Sequence, residues 1–184
     1  MGLFFQDLNF SDDCLTQHEP HKITFNTDNR VKSYYKGGME NGKFHGKGEL
    51  LNIQPETLII NLPLLISQDS NLMNFKKLRV KPGSDFAQGQ LMGNCEIEFT
   101  NDPSKPKEYP IMSYKGGVKD GAFSGKGKIT NSNGDVYDGH FLNGLKSGQG
   151  TYTSFERIYE GEWLEDFLNG DAKVRYKNEG QGEV

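Results

Sequence analysis

Apolar residues are scarce in this chain of 184 residues, at 34%, and no run of them is long. A thick core needs more, because burial of apolar area is the main favourable term in folding. The longest such stretch, LIINLPLLI from Leu58 to Ile66, is nine residues interrupted by Pro63. A membrane-spanning helix needs about 20. Cysteine is nearly absent: Cys14 and Cys95 make neither a disulfide framework nor a zinc pattern, which points to a reducing compartment. The histidines, His18, His21, His45 and His140, lack ligand spacing, so no metal and no cofactor are expected. Excess positive charge is missing too, and a net charge of −4 argues against nucleic acid as a partner. Residues 1–20 carry Asp7, Asp12, Asp13 and Glu19 with no Lys or Arg, unlike a secretory or mitochondrial leader. Gln6 stands where a myristoylation start wants Ser or Thr. The expectation is an intracellular protein of the cytoplasm or cytoskeleton.

Glycine is what the chain has in quantity, and it is periodic. From Tyr114 glycines fall at Gly116, Gly121, Gly125 and Gly127, with Ile129 closing the unit. From Tyr137 they fall at Gly139, Gly144, Gly148 and Gly150, closed by Tyr152. From Tyr159 the same places hold Gly161, Asp166, Gly170, Ala172 and Val174. The opening tyrosines are 23 and then 22 residues apart, a period that marks a repeat array. Asp120-Gly121 and Asn143-Gly144 supply the positive φ angles of tight hairpins, and Asn133-Gly134 supplies a turn between units. Each unit therefore reads as a β-hairpin. Alternation along a strand puts Tyr137, Gly139 and Phe141 on one face, with Asp138, His140 and Leu142 on the other. Tyr159, Gly161 and Trp163 line up likewise, opposite Glu160 and Glu162. Glycine between aromatics leaves a slot in which neighbouring rings lie flat.

The stretches YKGGVKDGAFSGKGKI, YDGHFLNGLKSGQGTY and YEGEWLEDFLNGDAKV resemble the MORN repeat, a family of short hairpin units. The fold expected is all-β: an elongated single-layer twisted antiparallel sheet of tandem hairpins with an irregular insertion.

Five segments follow from the pattern. Residues 1–20 form an N-terminal arm carrying Phe4, Phe5, Leu8 and Phe10. Residues 21–50 hold the first units, with a turn at Thr27–Asn29 and a full copy at Tyr35. That copy, YKGGMENGKFHGKGEL, matches the one at Tyr114 in nine of sixteen positions, 79 residues on, which hints at an internal duplication. Residues 51–81 are an insertion, apolar and then basic. It either folds over the sheet or docks a partner. Residues 82–113 are a degenerate unit and a Pro-rich loop: Phe86, Gly89, Gly93 and Ile97 match Phe141, Gly144, Gly148 and Tyr152, while Pro82 and Ser84 replace the opening aromatic and glycine, and Cys95 another glycine. Residues 114–184 hold three units and a truncated strand ending in Gly180, Gly182 and Val184.

Chemistry is hard to find. Gly-Lys-Gly at 46–48 and 125–127 lacks the spacing and the following Ser or Thr of a phosphate loop. The acids Glu160, Glu162, Glu165, Asp166 and Asp171 are dense, yet a one-layer sheet offers no cleft to set their pKa values apart. No catalytic residue is expected.

Two binding readings remain. In the first, the aromatic–glycine face of Tyr35, Tyr114, Tyr137, Phe141, Tyr152, Tyr159 and Trp163 stands exposed and holds a partner's helix or extended segment, because contiguous apolar surface is rarely left bare. The resemblance implies a non-catalytic scaffold, a subunit of a large cytoskeletal or axonemal assembly such as the radial spoke of a cilium, with protein subunits as partners. Pairing of two copies through a sheet edge stays open. In the second, the chain is an adaptor on anionic phospholipid, through Lys36, Lys43, Lys47, Lys76, Lys77, Lys115 and Lys126, at about 1 kcal/mol per well-placed lysine. Charge is uneven: residues 114–128 carry four Lys against one Asp, and residues 135–171 carry eight acids against two bases. The acidic end would be repelled by such a membrane, so a protein partner with patches of both signs suits the pattern better.

Overall fold

Alternating strands and Gly-rich turns build one sheet, and the described residues contain no helix. The computed structural model describes residues 21–25, 33–53, 75–101 and 111–177. Twelve strands make a single antiparallel sheet. They are β1 (His21–Phe25), β2 (Ser33–Glu40), β3 (Lys43–Ile53), β4 (Phe75–Ala87), β5 (Gln90–Leu91) and β6 (Gly93–Asn101), then β7 (Ile111–Lys119), β8 (Ala122–Asn131), β9 (Val136–Leu142), β10 (Leu145–Thr153), β11 (Arg157–Leu164) and β12 (Phe167–Tyr176). Each pairs with the next, except that short β5 lies inside the β4–β6 hairpin and pairs with β4. Packing in such a meander is almost wholly between neighbours.

The expected turns form. Asn41-Gly42, Asp120-Gly121 and Asn143-Gly144 place two consecutive residues at positive φ, 49–52° at the first and 72–86° at the second. This is the turn whose twist matches that of the strands it joins. Glu165-Asp166 adopts it without glycine, at 49° and 71°. A clasp ties each of three tips to the hairpin before it: the N–H of Gly89 donates to the Phe44 carbonyl (2.9 Å), that of Gly144 to Phe123 (2.9 Å), and that of Asp166 to Lys146 (3.1 Å).

Two boundaries differ from expectation. β4 begins at Phe75, so the basic residues 76–81 belong to a sheet strand and not to the insertion of 51–81. Register explains why. Val80 pairs with Ile97 and Leu50, as Tyr137 pairs with Tyr152 and Ile129. Val80, rather than Pro82, therefore takes the tyrosine's place, while Ser84 faces Gly48 as Gly139 faces Gly127. The extra residues around Pro82 and Gly83 (φ 87°) are taken up as a bulge. The N-terminal arm, the turn at Thr27–Asn29, the 58–66 run, the Pro-rich loop after Asn101 and the final glycines lie outside the described residues.

Candidate interaction surface

The sheet's ring face is built from a unit of three parts. An opening tyrosine lies over two bare backbones, one glycine on its own strand and one on the next. Gly37 and Gly48 serve Tyr35, Gly116 and Gly127 serve Tyr114, and Gly139 and Gly150 serve Tyr137. A Cβ built on Gly127 would stand 2.6 Å from the Tyr114 hydroxyl and 2.8 Å from Cε2, so only glycine fits under the ring. The hydroxyl donates to the carbonyl three residues on: Tyr35 to Gly38 (2.8 Å), Tyr114 to Gly117 (2.6 Å), Tyr137 to His140 (3.0 Å). Gly46, Gly125 and Gly148, at φ near 70°, make the bulge that leaves the strand room to bend round the ring. The two glycines of each Gly-Lys-Gly are thus one bulge and one ring slot.

The third part sits nine residues after the tyrosine. Phe44 stacks on Tyr35 with centroids 3.8 Å apart, and Phe123 on Tyr114 at 3.6 Å. Phe86, Phe141 and Trp163 then close in edge-on from the neighbouring hairpins. The Trp163 indole N–H donates to the Gly150 carbonyl, 3.1 Å away.

This packing corrects the expectation of a bare face. Tyr35, Tyr114, Tyr137, Phe141 and Trp163 are buried, because glycine slots let the rings bury against the chain's own backbone. Burial pushes the hydroxyls of Tyr35 and Tyr137 up to about 12, and that of Tyr114 higher still. Only Tyr152 and Tyr159 of the seven keep part of their surface. Cover thins at this end for identifiable reasons. In the Tyr137 unit the stacking place holds Lys146, whose ammonium rests 5.6 Å from the centroids of both Tyr137 and Trp163. In the Tyr159 unit it holds Leu168, and Ala172 replaces the second glycine. A Cβ on Gly161 would meet the Ala172 Cβ at 3.1 Å. Tyr159 does not take the slot; it tilts against Tyr152, centroids 6.2 Å apart, and its hydroxyl reaches Arg157. Sequence reasoning missed Lys146 and Leu168, although the spacing of nine from each tyrosine was there to be read.

The opposite face is a lattice of charges. Lys47 pairs with Asp85 (2.6 Å) and Lys115 with Glu96 (3.3 Å), so two of the lysines assigned to lipid already meet carboxylates. Lys81 bridges Glu96 (2.5 Å) and Glu98 (2.8 Å), and with Lys115 it holds Glu96 below the ordinary carboxylate range. Lys36, Lys43 and Lys126 are exposed and make no ion pair among the described residues. Lys76 and Lys77 lie in β4. A shallow open groove of about 630 Å³ crosses β8 to β11, with Lys126 and Lys128 against Asp138 and Glu160. Among the described residues no His, Cys, Asp and Glu group could hold a metal ion.

A meander of hairpins in one layer, with Tyr35, Tyr114 and Tyr137 each seated on paired glycines, defines an open hairpin-repeat array. The MORN repeat model matches residues 35–51, 114–136, 137–155 and 159–181, and the chain is a MORN-repeat protein. No curated protein matches it. MORN repeats are protein-interaction or membrane-binding modules, and proteins built of them are generally non-catalytic. The β4–β6 hairpin, which the match skips, continues the same sheet with Val80 in place of a tyrosine.

Proposed function

We propose that the chain is a non-catalytic scaffold, a structural subunit of a larger cytoskeletal assembly, that holds a helix or extended segment of a partner protein on the C-terminal end of its ring face. The observation that carries this reading is the fall in burial along the array. Tyr35 and Tyr114 are sealed, whereas Tyr152, Tyr159 and Leu168 keep part of their surface and β12 is almost wholly exposed. Aromatic rings offer rigid contact area at small entropic cost, so the open end is the place for a partner. Its test is Tyr159→Ala with Leu168→Ser, read by mass-spectrometric comparison of what the tagged protein retains from a native extract. Specific partners kept at wild-type strength by the folded variant would refute this surface.

The membrane reading rests on Lys36, Lys43 and Lys126, which are exposed and make no ion pair among the described residues. It needs anionic surfaces, and the acids of β11 and β12 oppose it.

A further inference from the structure

A second surface lies on the opposite face, at the hairpin tips. Five hairpins with two-residue tips each end in a pair of residues that flank the turn on this face. In the first these are Glu40 and Lys43, in the β4–β5 hairpin Ala87 and Gln90, and in the β7–β8 hairpin Lys119 and Ala122. In the last two they are Leu142 with Leu145 and Leu164 with Phe167. Leu142 is 59% exposed, Leu164 54% and Phe167 76%. Such a cluster on an otherwise charged face is unusual, because contiguous exposed apolar area marks interaction sites.

The two tips are held in fixed relation. Besides the Asp166 N–H on the Lys146 carbonyl, the Lys146 N–H donates to the Asp166 carboxylate at 2.8 Å, and the Lys146 ammonium lies 3.7 Å from it. Neighbouring strands are about 4.8 Å apart, so tips two strands apart present their apolar pairs about 9.6 Å apart along the rim. A helix rises 1.5 Å per residue, which separates positions i and i+7 by about 10.5 Å. Glu162 and Glu165, exposed beside the patch, make no ion pair among the described residues.

We infer that Leu142, Leu145, Leu164 and Phe167 form a docking site for an amphipathic helix of a partner protein, laid along the rim with apolar residues at i, i+3/i+4 and i+7 and Lys or Arg on its flanks to meet Glu162 and Glu165. The acids decide between occupants. An anionic membrane would be repelled by them, and in a two-fold contact between copies the same glutamates would face one another. This site is independent of the ring-face reading, since it lies on the other side of the sheet.

The test uses the full chain and a fluorescein-labelled synthetic helix of about 18 residues, leucines at that spacing and lysines on both flanks, read by anisotropy. Leu164→Ser with Phe167→Ser is expected to weaken binding about tenfold or more. Glu162→Lys with Glu165→Lys weakens it too, with the circular dichroism spectrum of the protein unchanged; this pair decides the matter if the apolar variant does not fold. Tyr159→Ala leaves it unaltered. Unchanged binding by both double variants overturns the inference, as does equal affinity for a probe with glutamates on its flanks or loss of binding with Tyr159→Ala alone. It is overturned equally if Leu164→Ser with Phe167→Ser instead abolishes co-sedimentation with phosphatidylcholine–phosphatidylserine vesicles, or a concentration-dependent dimer.

Discussion

The hairpins at Tyr114 and Tyr159 share a pattern and a register, yet one is sealed and the other is open. In the first, Tyr114 lies on Gly116 and Gly127 beneath Phe123 and its hydroxyl is spent on the Gly117 carbonyl. In the second, a methyl group on Ala172 occupies the slot, Leu168 replaces the stacking ring, and Tyr159 is left half-buried with its hydroxyl on Arg157. The lesson is that glycine acts here as a receptor for a ring, and the ring's burial is decided by one carbon atom on the neighbouring strand. A repeat can therefore give up its own stability and gain a surface without losing its register.

The sharpest way to break this comparison is to make one substitution in both places. Tyr114→Ala removes a fully buried ring stacked at 3.6 Å on Phe123 and leaves a cavity over two glycines. It should cost about 4 kcal/mol, the usual range for a buried aromatic. Tyr159→Ala removes a half-buried ring and should cost less, about 1 kcal/mol. Urea unfolding followed by circular dichroism measures both. Equal losses would show that the two tyrosines are packed alike and that the slot explanation is wrong.

Alkaline pH tests the burial of the sealed tyrosines without mutation. Burial raises Tyr35 and Tyr137 from 10.0 to about 12 in the folded chain, and Tyr114 upward as well. A group whose folded pKa is raised binds its proton more tightly when folded, so its contribution is complete below the unfolded value and is lost as pH rises through the folded one. The midpoint temperature is therefore expected to hold up to pH about 10 and to fall between there and about 12. Tyrosinate absorbance from the sealed tyrosines should rise together with unfolding. A single titration near 10 with no loss of structure would contradict the burial of those hydroxyls.

Much of this was legible in the chain. Tyr-x-Gly and the Asn-Gly or Asp-Gly turns dictate the hairpins, because few other sequences adopt two positive φ angles at so little strain. Period-2 alternation then places Tyr137 and Phe141 opposite Asp138 and His140. Exposure was not legible, since alternation says which face a ring is on and nothing about what lies over it. The seven aromatics look alike in sequence, and only the partner-strand residue, Gly127 or Gly150 against Ala172, tells a seated ring from an open one. The β4 strand was misread at its start because Val80 is not aromatic and the excess residues near Gly83 shift the count. The apolar tips were overlooked because Leu142 and Leu164 belong to the charged face, where a single leucine carries no signal until the next hairpin repeats it.

The smallest expected change in stability, and the most informative about the surface, comes from Ala172→Gly. It deletes the methyl group that keeps Tyr159 out of its slot and recreates the paired glycines found under Tyr35, Tyr114 and Tyr137. Glycine in an exposed edge strand costs about 0.5–1 kcal/mol, and a ring settling over bare backbone offsets a similar amount through the apolar area it removes from water. Net stability should therefore move by less than about 1 kcal/mol, while the environment of Tyr159 changes outright. Nitration by tetranitromethane, mapped by peptide mass, reports on it: Tyr159 is expected to react readily in the unmodified sequence and to become protected in Ala172→Gly, as Tyr114 is in both. Binding of partners that rely on Tyr159 should fall in parallel, although no contact residue has been altered. Should Tyr159 stay equally reactive in the variant, the cause of its exposure is Leu168 or the position of β12 at the end of the described sheet, and not the missing glycine.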